Sequence, residues 1–107
     1  MANVGQPYTS GRWKVKPGQE QAFVERWTEF TQWSLENSDG AEHFALIQDS
    51  NDPSRFLSFG AWAGDEAVQR WRTAPDFSER LGRCRELCDE FEARDYTLAA
   101  AVSPPPG

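Results

Sequence analysis

Three places in this chain carry side chains whose types and spacing could do chemistry. The first is His43, the single histidine, since imidazole is the side chain whose ordinary pKa lies near neutrality and is a common general base. The second is one side of a strand, where Phe56, Ser58, Gly60 and Trp62 occur at every second position and therefore share a face. A hydroxyl, a gap and two aromatic walls on one face suit a planar aromatic ligand, and the alternative is a packed core without a ligand.

The third place is the pair Cys84 and Cys88, which lie four residues apart in a helical pattern. Such a pair could be redox-active or could supply half of a metal site. A metal site would need a second cluster of Cys or His ligands, and the chain has none. We therefore interpret both thiols as small apolar groups on a buried helix face, and we predict neither a metal nor another cofactor.

A short predicted helix follows the strand and carries Trp71 between Arg70 and Arg72. The short strand-to-helix turn places Trp62 near this helix, where small-molecule cavities tend to open between helices and a sheet. Trp71 is expected either to line such a cavity or to pack in the core. The two arginines are expected to be solvated, unless one of them meets an anionic substrate.

The charge balance argues against several classes of partner. The 107 residues include 17 acidic and 11 basic side chains, for a net charge of -6. An acidic surface repels phosphate backbones and anionic lipids, so neither nucleic acid nor a membrane is an expected partner. No apolar run reaches the roughly 20 residues of a membrane span, and the first residues lack the pattern of a signal peptide. We expect a cytoplasmic protein.

Hydrophobic periodicity and turn residues predict four strands and three helices. The predicted strands cover 8–16, 41–49, 55–63 and 95–102, and the predicted helices cover 19–37, 65–73 and 76–93. The last helix is predicted from an apolar stripe at helical spacing, which consists of Phe77, Leu81, Cys84, Cys88 and Phe91.

This order of elements predicts an α+β, ferredoxin-like domain with a split β-α-β arrangement and a four-stranded antiparallel sheet. The third predicted strand is apolar on both sides, with Phe56 and Trp62 on one and Leu57 and Phe59 on the other. Because one small domain covers only one face of its sheet, we expect a homodimer in which a second copy covers the other face. The domain is expected to span 8–102, between a flexible amino terminus at 1–7 and a Pro-rich tail at 103–107.

Three short segments occur in order along the chain. They are Val15-Lys16-Pro17-Gly18 with Ala22-Phe23, then Gly40, Phe44 and Asp49-Ser50-Asn51-Asp52-Pro53, and then Trp62, Glu66-Ala67, Trp71, Pro75 and Phe77. Together they resemble the antibiotic biosynthesis monooxygenase (ABM) family of dimeric α/β barrels, over about residues 8–102.

The resemblance implies a homodimer with a small-molecule cavity between the sheet and the helices of each protomer. It also implies oxidation of an aromatic, polyketide- or anthrone-like small molecule without a cofactor. In that chemistry the electron-rich phenolate itself reduces oxygen, while the protein binds it, helps to deprotonate it and excludes water. Another branch of the family binds and degrades haem.

The family's site residues carry over only in part. Trp62 matches the strand-end tryptophan of the quinone-forming members, whereas Ser58 and Val68 stand where those members have Asn and Tyr. Trp71 matches a helix tryptophan of the haem-degrading branch, but Leu81 stands where that branch has His.

The leading hypothesis is a cofactor-independent monooxygenase acting on an aromatic small molecule. Its predicted substrate-binding residues are Phe56, Ser58, Gly60, Trp62 and Trp71, and its possible base is His43. One alternative is a non-catalytic small-molecule-binding protein of the same fold, which the missing Asn and Tyr favour. The other is a haem-binding protein, which Leu81 disfavours.

Overall fold

The structure, a computed structural model, describes residues 3–106 as one layer of helices packed on one face of a sheet. The elements are β1 (Pro7–Val15), α1 (Glu20–Asn37), β2 (Ala41–Gln48), β3 (Arg55–Trp62), α2 (Asp65–Thr73), α3 (Phe77–Arg85) and β4 (Cys88–Thr97). The predicted α+β, ferredoxin-like class is confirmed. Residues 1 and 2 of the predicted amino-terminal segment (1–7) lie outside the described residues, and so does residue 107 of the predicted tail (103–107).

The four strands lie in the order β2-β3-β1-β4, and every neighbouring pair is antiparallel. β1 is therefore a central strand, and Gly11 has Ser58 of β3 on one side and Ala93 of β4 on the other. Because side chains alternate along a strand, these three residues share the face that looks at the helices. We call this the inner face of the sheet and the opposite one the outer face.

Helix α1 packs on the inner face through one stripe of buried residues at helical spacing: Phe23, Trp27, Phe30 and Ser34. The chain leaves α1 through Gly40, which has a φ of +91°. A Cβ there would also lie 2.6 Å from the Cβ of Ala67 in α2. Glycine is needed at this turn both for its backbone conformation and for the close approach of α2.

The third helix and last strand differ from the sequence prediction. The predicted helix 76–93 ends at Arg85, and the predicted strand 95–102 begins at Cys88 instead. Phe91 and Cys88 therefore lie on β4, where they pair with Trp13 and Val15 of β1. The apolar spacing is compatible with a helix, but pairing this segment with β1 satisfies the backbone groups of that central strand. Tertiary hydrogen bonding thus overrides the local pattern.

The amino-terminal residues that the structure describes contact the end of the sheet. The side-chain nitrogen of Gln6 donates to the carbonyl oxygen of Trp62 at 3.1 Å and to Oε1 of Glu42 at 2.8 Å. The backbone of Gly5 and of Gln6 exchanges hydrogen bonds with that of Leu98. Within residues 3–106 the structure has no helix that combines the length and the apolar character required to cross a membrane.

Candidate functional site

An aromatic cavity of about 70 Å³ lies between the inner face of the sheet and the helices. Its floor is the strand surface around Gly11 and Gly60. Its walls and roof are mostly rings and aliphatic side chains, namely Trp13, Trp27, Phe30, Phe44, Trp71, Phe77, Leu81 and Phe91. The cavity is therefore apolar over most of its surface, which suits a ring more than a sugar or a phosphate.

The two floor glycines let neighbouring side chains lie close against the sheet. A Cβ on Gly11 would lie 2.8 Å from Nε1 of Trp13 and 2.9 Å from Oγ of Ser58. A Cβ on Gly60 would lie 2.5 Å from the ring of Phe44 and 3.2 Å from Oγ1 of Thr9. Part of the gap predicted at Gly60 is therefore filled by the Phe44 ring from the neighbouring strand, and the cavity occupies what remains.

Three buried tryptophans direct their indole N–H groups to hydroxyl oxygens. Trp62 donates to Oγ1 of Thr9 at 3.0 Å, and Trp13 donates to Oγ of Ser58 at 3.0 Å. Trp71 donates to Oγ of Ser34 on α1 at 2.8 Å. Buried indoles require such partners, so these three bonds hold the rings around the cavity in defined orientations.

The predicted strand residues share the inner face but have different environments. Phe56, Ser58 and Trp62 are buried on that face together with Gly60. Ser58, Gly60 and Trp71 line the cavity. Phe56 instead packs against Phe23, with ring centroids 5.1 Å apart.

Trp62 lies behind the cavity surface and does not line it. It is fully buried, and its ring centroid lies 4.7 Å from that of Trp71 and 5.7 Å from that of Phe44. Both of these neighbours do line the cavity. Trp62 therefore supports the cavity wall, and it reaches the cavity's polar groups only through the hydroxyl of Thr9.

His43 lies outside the cavity of its own protomer. Its neighbour Phe44 faces the helices, so alternation along β2 puts His43 on the outer face, where it pairs with Ala61 and is exposed. An imidazole in that position does not reach a ligand held between the sheet and the helices. The geometry of the protomer gives no support to the predicted role of His43 as a base.

The cavity has further polar residues, of which the sequence analysis considered Arg72 alone, as a contact for an anionic substrate. Thr9, Thr31 and Arg72 line it. Thr9 could have been found, because counting back by twos from Val15 and Trp13 along β1 leads to Gly11 and then to Thr9. No pattern in the sequence indicated Thr31. In the structure its hydroxyl donates to the carbonyl oxygen of Trp27 at 2.9 Å, as helix threonines often do.

An ion pair stands at the mouth of the cavity. Both terminal nitrogens of Arg72 on α2 donate to the carboxylate of Asp95 on β4, one of them at 2.9 Å. The hydrogen bond from Arg72 holds the pKa of Asp95 below its ordinary value. The same bond raises the pKa of Arg72, although burial acts in the opposite direction. Both groups are therefore charged near neutral pH.

The two cysteines lie apart from the cavity and are deprotonated with difficulty. Burial raises the pKa of Cys84 to about 12 and that of Cys88 to about 11. Cys84 is buried on α3, whereas Cys88 is half-buried on β4. Across residues 3–106 no group of three or more His, Cys, Asp or Glu side chains is arranged to hold a metal ion.

Comparison with known proteins agrees with this architecture. Residues 8–80 match the sequence profile of the family described as antibiotic biosynthesis monooxygenase. This chain belongs to the ABM family. No curated protein sequence matches the chain.

Solved structures show the same fold at low sequence identity. SnoaB, a cofactor-independent oxygenase from Streptomyces nogalater, superposes with a TM-score of 0.80 at 16% identity, over 96% of this chain and 100% of SnoaB. A conserved protein from Methanosarcina mazei Go1 gives a TM-score of 0.78 at 18% identity, over 89% and 94% of the two chains. A protein from Nitrosomonas europaea gives 0.75 at 17% identity, over 91% and 93%. These similarities establish the ABM fold of the chain.

Proposed function

We propose that this ABM protein is a cofactor-independent monooxygenase that oxidises an aromatic small molecule held in the cavity of each protomer. The observation that carries the proposal is the cavity itself, a nearly apolar space between rings in a domain of this family. The oxygenase activity of SnoaB, a protein with the same fold, supports the reaction type.

The proposed reaction needs few protein groups. An anthrone, for example, reacts with O₂ to give a quinone and water. The ring CH₂ becomes a carbonyl whose oxygen is one atom of O₂, and the two hydrogens leave as water with the other oxygen atom. The electrons come from the deprotonated aromatic substrate. The cavity residues then have to hold the ring, limit its contact with water and favour its ionised form.

The size of the cavity restricts the ligand. A cavity of about 70 Å³ is smaller than the engineered cavity of about 150 Å³ that accommodates benzene in another protein. A single ring therefore requires a modest adjustment of the walls. A polycyclic substrate requires movement of rings such as Phe44 and Phe77, or must extend through the mouth beside Arg72.

A non-catalytic binding function is the second candidate, and the hydrogen bonds of the site favour it. The hydroxyl of Ser58 accepts a hydrogen bond from Trp13 and donates to the carbonyl of Gly11 at 3.4 Å. It is therefore less available to a substrate than the amide expected at this position from the resemblance. Val68, at the position expected to be Tyr, is buried and offers no hydroxyl. Haem binding receives less support, because apolar Leu81 lines the cavity where the haem-degrading branch has His.

We propose a homodimer as the functional assembly. Ile47, Leu57 and Tyr96 lie on the outer face of the sheet, and in the protomer they are 52%, 38% and 50% exposed. A broad hollow of about 890 Å³ lies over the same face beside Ile47 and Leu57. Apolar side chains gathered on one uncovered sheet face suit contact with a second, identical face.

Oxygen consumption tests the proposed reaction. Purified protein freed of flavin and metals, supplied with anthrone, should consume O₂ and form anthraquinone faster than the uncatalysed control. Gly60→Leu should abolish this turnover, because its side chain would collide with Phe44 and fill the floor of the cavity. Gly82→Leu is the matched control, since a Cβ at Gly82 meets nothing within 4 Å.

Two other outcomes would redirect the proposal. Quenching of tryptophan fluorescence by anthrone without oxygen uptake would support the binding protein in place of the enzyme. Turnover by folded Gly60→Leu at the wild-type rate would show that the reaction occurs outside this cavity.

A further inference from the structure

Three polar residues from three elements meet at the mouth of the cavity. Thr9 of β1 lies directly opposite Asp95 of β4 in the sheet register, and both face the helices. Arg72 of α2 reaches across to the carboxylate of Asp95. Thr9 and Arg72 both line the cavity, whose remaining surface is largely aromatic. The cavity therefore has one polar end, and we call Thr9, Arg72 and Asp95 its polar corner.

The hydroxyl of Thr9 has a proton with no acceptor among residues 3–106. A threonine hydroxyl has one O–H donor besides its acceptor lone pairs. Its oxygen accepts the indole N–H of Trp62 at 3.0 Å, and within that part of the chain it donates to nothing. The hydroxyl of Thr31, by contrast, donates to a helix carbonyl. Because Thr9 is buried and lines the cavity, its free O–H is available to a ligand.

The guanidinium of Arg72 has hydrogen-bonding capacity beyond its pair with Asp95. Arginine has five N–H donors, and Asp95 takes one from each terminal nitrogen. The Asp95 side chain is 62% exposed, whereas the Arg72 side chain is 30% exposed. Asp95 can therefore move into water while Arg72 stays at the mouth. In the free protein, Asp95 occupies the position on Arg72 that an anionic ligand oxygen would take.

We infer that Thr9 and Arg72 bind the ionised oxygen of a phenolic ligand, and that Asp95 competes with this oxygen for Arg72. The ring of the ligand occupies the aromatic part of the cavity, and its phenolate oxygen lies at the polar corner. This inference rests on the proposed function and names the residues that hold the phenolate oxygen of its substrate. Trp62 is a positioning residue in this arrangement, since its N–H orients the Thr9 hydroxyl.

Binding of two one-ring probes tests the inference independently of any reaction. The probes are 4-nitrophenol, used above its own pKa so that it is a phenolate, and 4-nitroanisole, its neutral methyl ether. Affinity is measured by quenching of tryptophan fluorescence. Wild-type protein should bind the phenolate at least about tenfold more tightly than the ether, because a charge-assisted hydrogen bond is worth more than a neutral one.

The variants should move phenolate affinity in opposite directions. Thr9→Val and Arg72→Gln should each weaken it about tenfold or more, whereas Thr9→Ser, which keeps the hydroxyl, should restore it. Asp95→Asn should strengthen it several-fold, because it removes the competitor from Arg72. None of these variants should change binding of 4-nitroanisole by more than about twofold. Thr73→Val and Arg70→Gln are matched controls on the exposed part of α2.

Three results would overturn the inference. One is equal affinity of wild-type protein for the phenolate and the ether. Another is weaker phenolate binding by Asp95→Asn, since the ion pair would then be only structural. The third is oxygen uptake from anthrone that survives both Thr9→Val and Arg72→Gln. The proposed oxygenase would then be active without any contribution from the polar corner. Selective phenolate binding without any oxygen uptake would instead support phenolate binding at the polar corner and contradict the proposed oxygenase activity.

Discussion

β3 places apolar residues on both faces of the sheet, and the two faces differ in how far these residues are buried. On the inner face, Phe56 and Trp62 are buried beneath α1 and α2, and Gly60 leaves room for the cavity. On the outer face, Leu57 stays partly exposed because no element of residues 3–106 packs over it. Apolar character alone therefore does not identify the core of this protein. The position of the helices makes one face the core and leaves the other uncovered among residues 3–106.

The inner face itself divides into a filled end and an open end. At the filled end, Phe23 of α1 packs between Trp13 and Phe56, with ring centroids 5.0 and 5.1 Å apart. At the open end, Gly11 and Gly60 have no side chains to fill the layer, and the cavity lies there. The filled end stabilises the domain, which allows the open end to remain incompletely packed.

The largest effect should come from the filled end of the inner face. Phe23→Ala removes a fully buried ring and should lower the free energy of unfolding by about 3–5 kcal/mol. The measurement is denaturant unfolding at concentrations where the protein is monomeric. Leu57→Ala on the outer face is the comparison and should cost less than about 1 kcal/mol there. Equal losses would mean that both faces are core within one protomer.

The next effect concerns association through the outer face. Wild-type protein should sediment at twice the 12.1 kDa protomer mass, and Leu57→Asp should weaken this dimer about 100-fold by placing an unpaired charge in an apolar contact. The protomer should remain folded by circular dichroism. Leu35→Asp makes the same change at an exposed leucine on α1 and should leave the dimer intact. A wild-type protein that remains monomeric at high concentration would contradict the proposed assembly.

The smallest effect is a difference in alkylation rate between the two thiols. Alkylation requires the thiolate, and burial raises the pKa of Cys84 to about 12 and that of Cys88 to about 11. Native Cys84 should therefore react more slowly than Cys88, which is also the less buried of the two thiols. Both rates should increase with pH, because more thiolate forms as the pH approaches the pKa. Mass spectrometry after timed labelling measures the two rates, with denatured protein as control; fast native labelling of Cys84 would show that α3 is not packed as described.

Much of the fold was predictable from local patterns. The stripe of Phe23, Trp27 and Phe30 predicted α1, and the turn residues after Asp49 predicted the hairpin between β2 and β3. The boundary between α3 and β4 was not predictable in this way, because Cys88 and Phe91 continue the helical spacing of α3 by coincidence. Only the need of β1 for a second strand partner places them in the sheet.

The site was predictable in its location more than in its residues. Ser58, Gly60 and Trp71, which the sequence predicts to bind a substrate, all line the cavity, and their role in binding stays a prediction. His43 was chosen for its chemistry, but alternation along β2 puts it on the other side of the sheet. Whether it faced the helices depended on the register between β2 and β3, which shifts between Ala41 and His43.

The amino-acid sequence by itself determined the α+β class, the inner-facing pattern of β3 and the family, because these depend on local periodicity and on short segments in order. The tertiary structure alone decided which polar residues meet at the cavity. Thr9, Arg72 and Asp95 come from β1, α2 and β4, and no local pattern relates them. They meet because antiparallel pairing sets β4 beside β1 and the Arg72 side chain reaches from α2 to β4. The chemistry of a cavity depends on such distances in space.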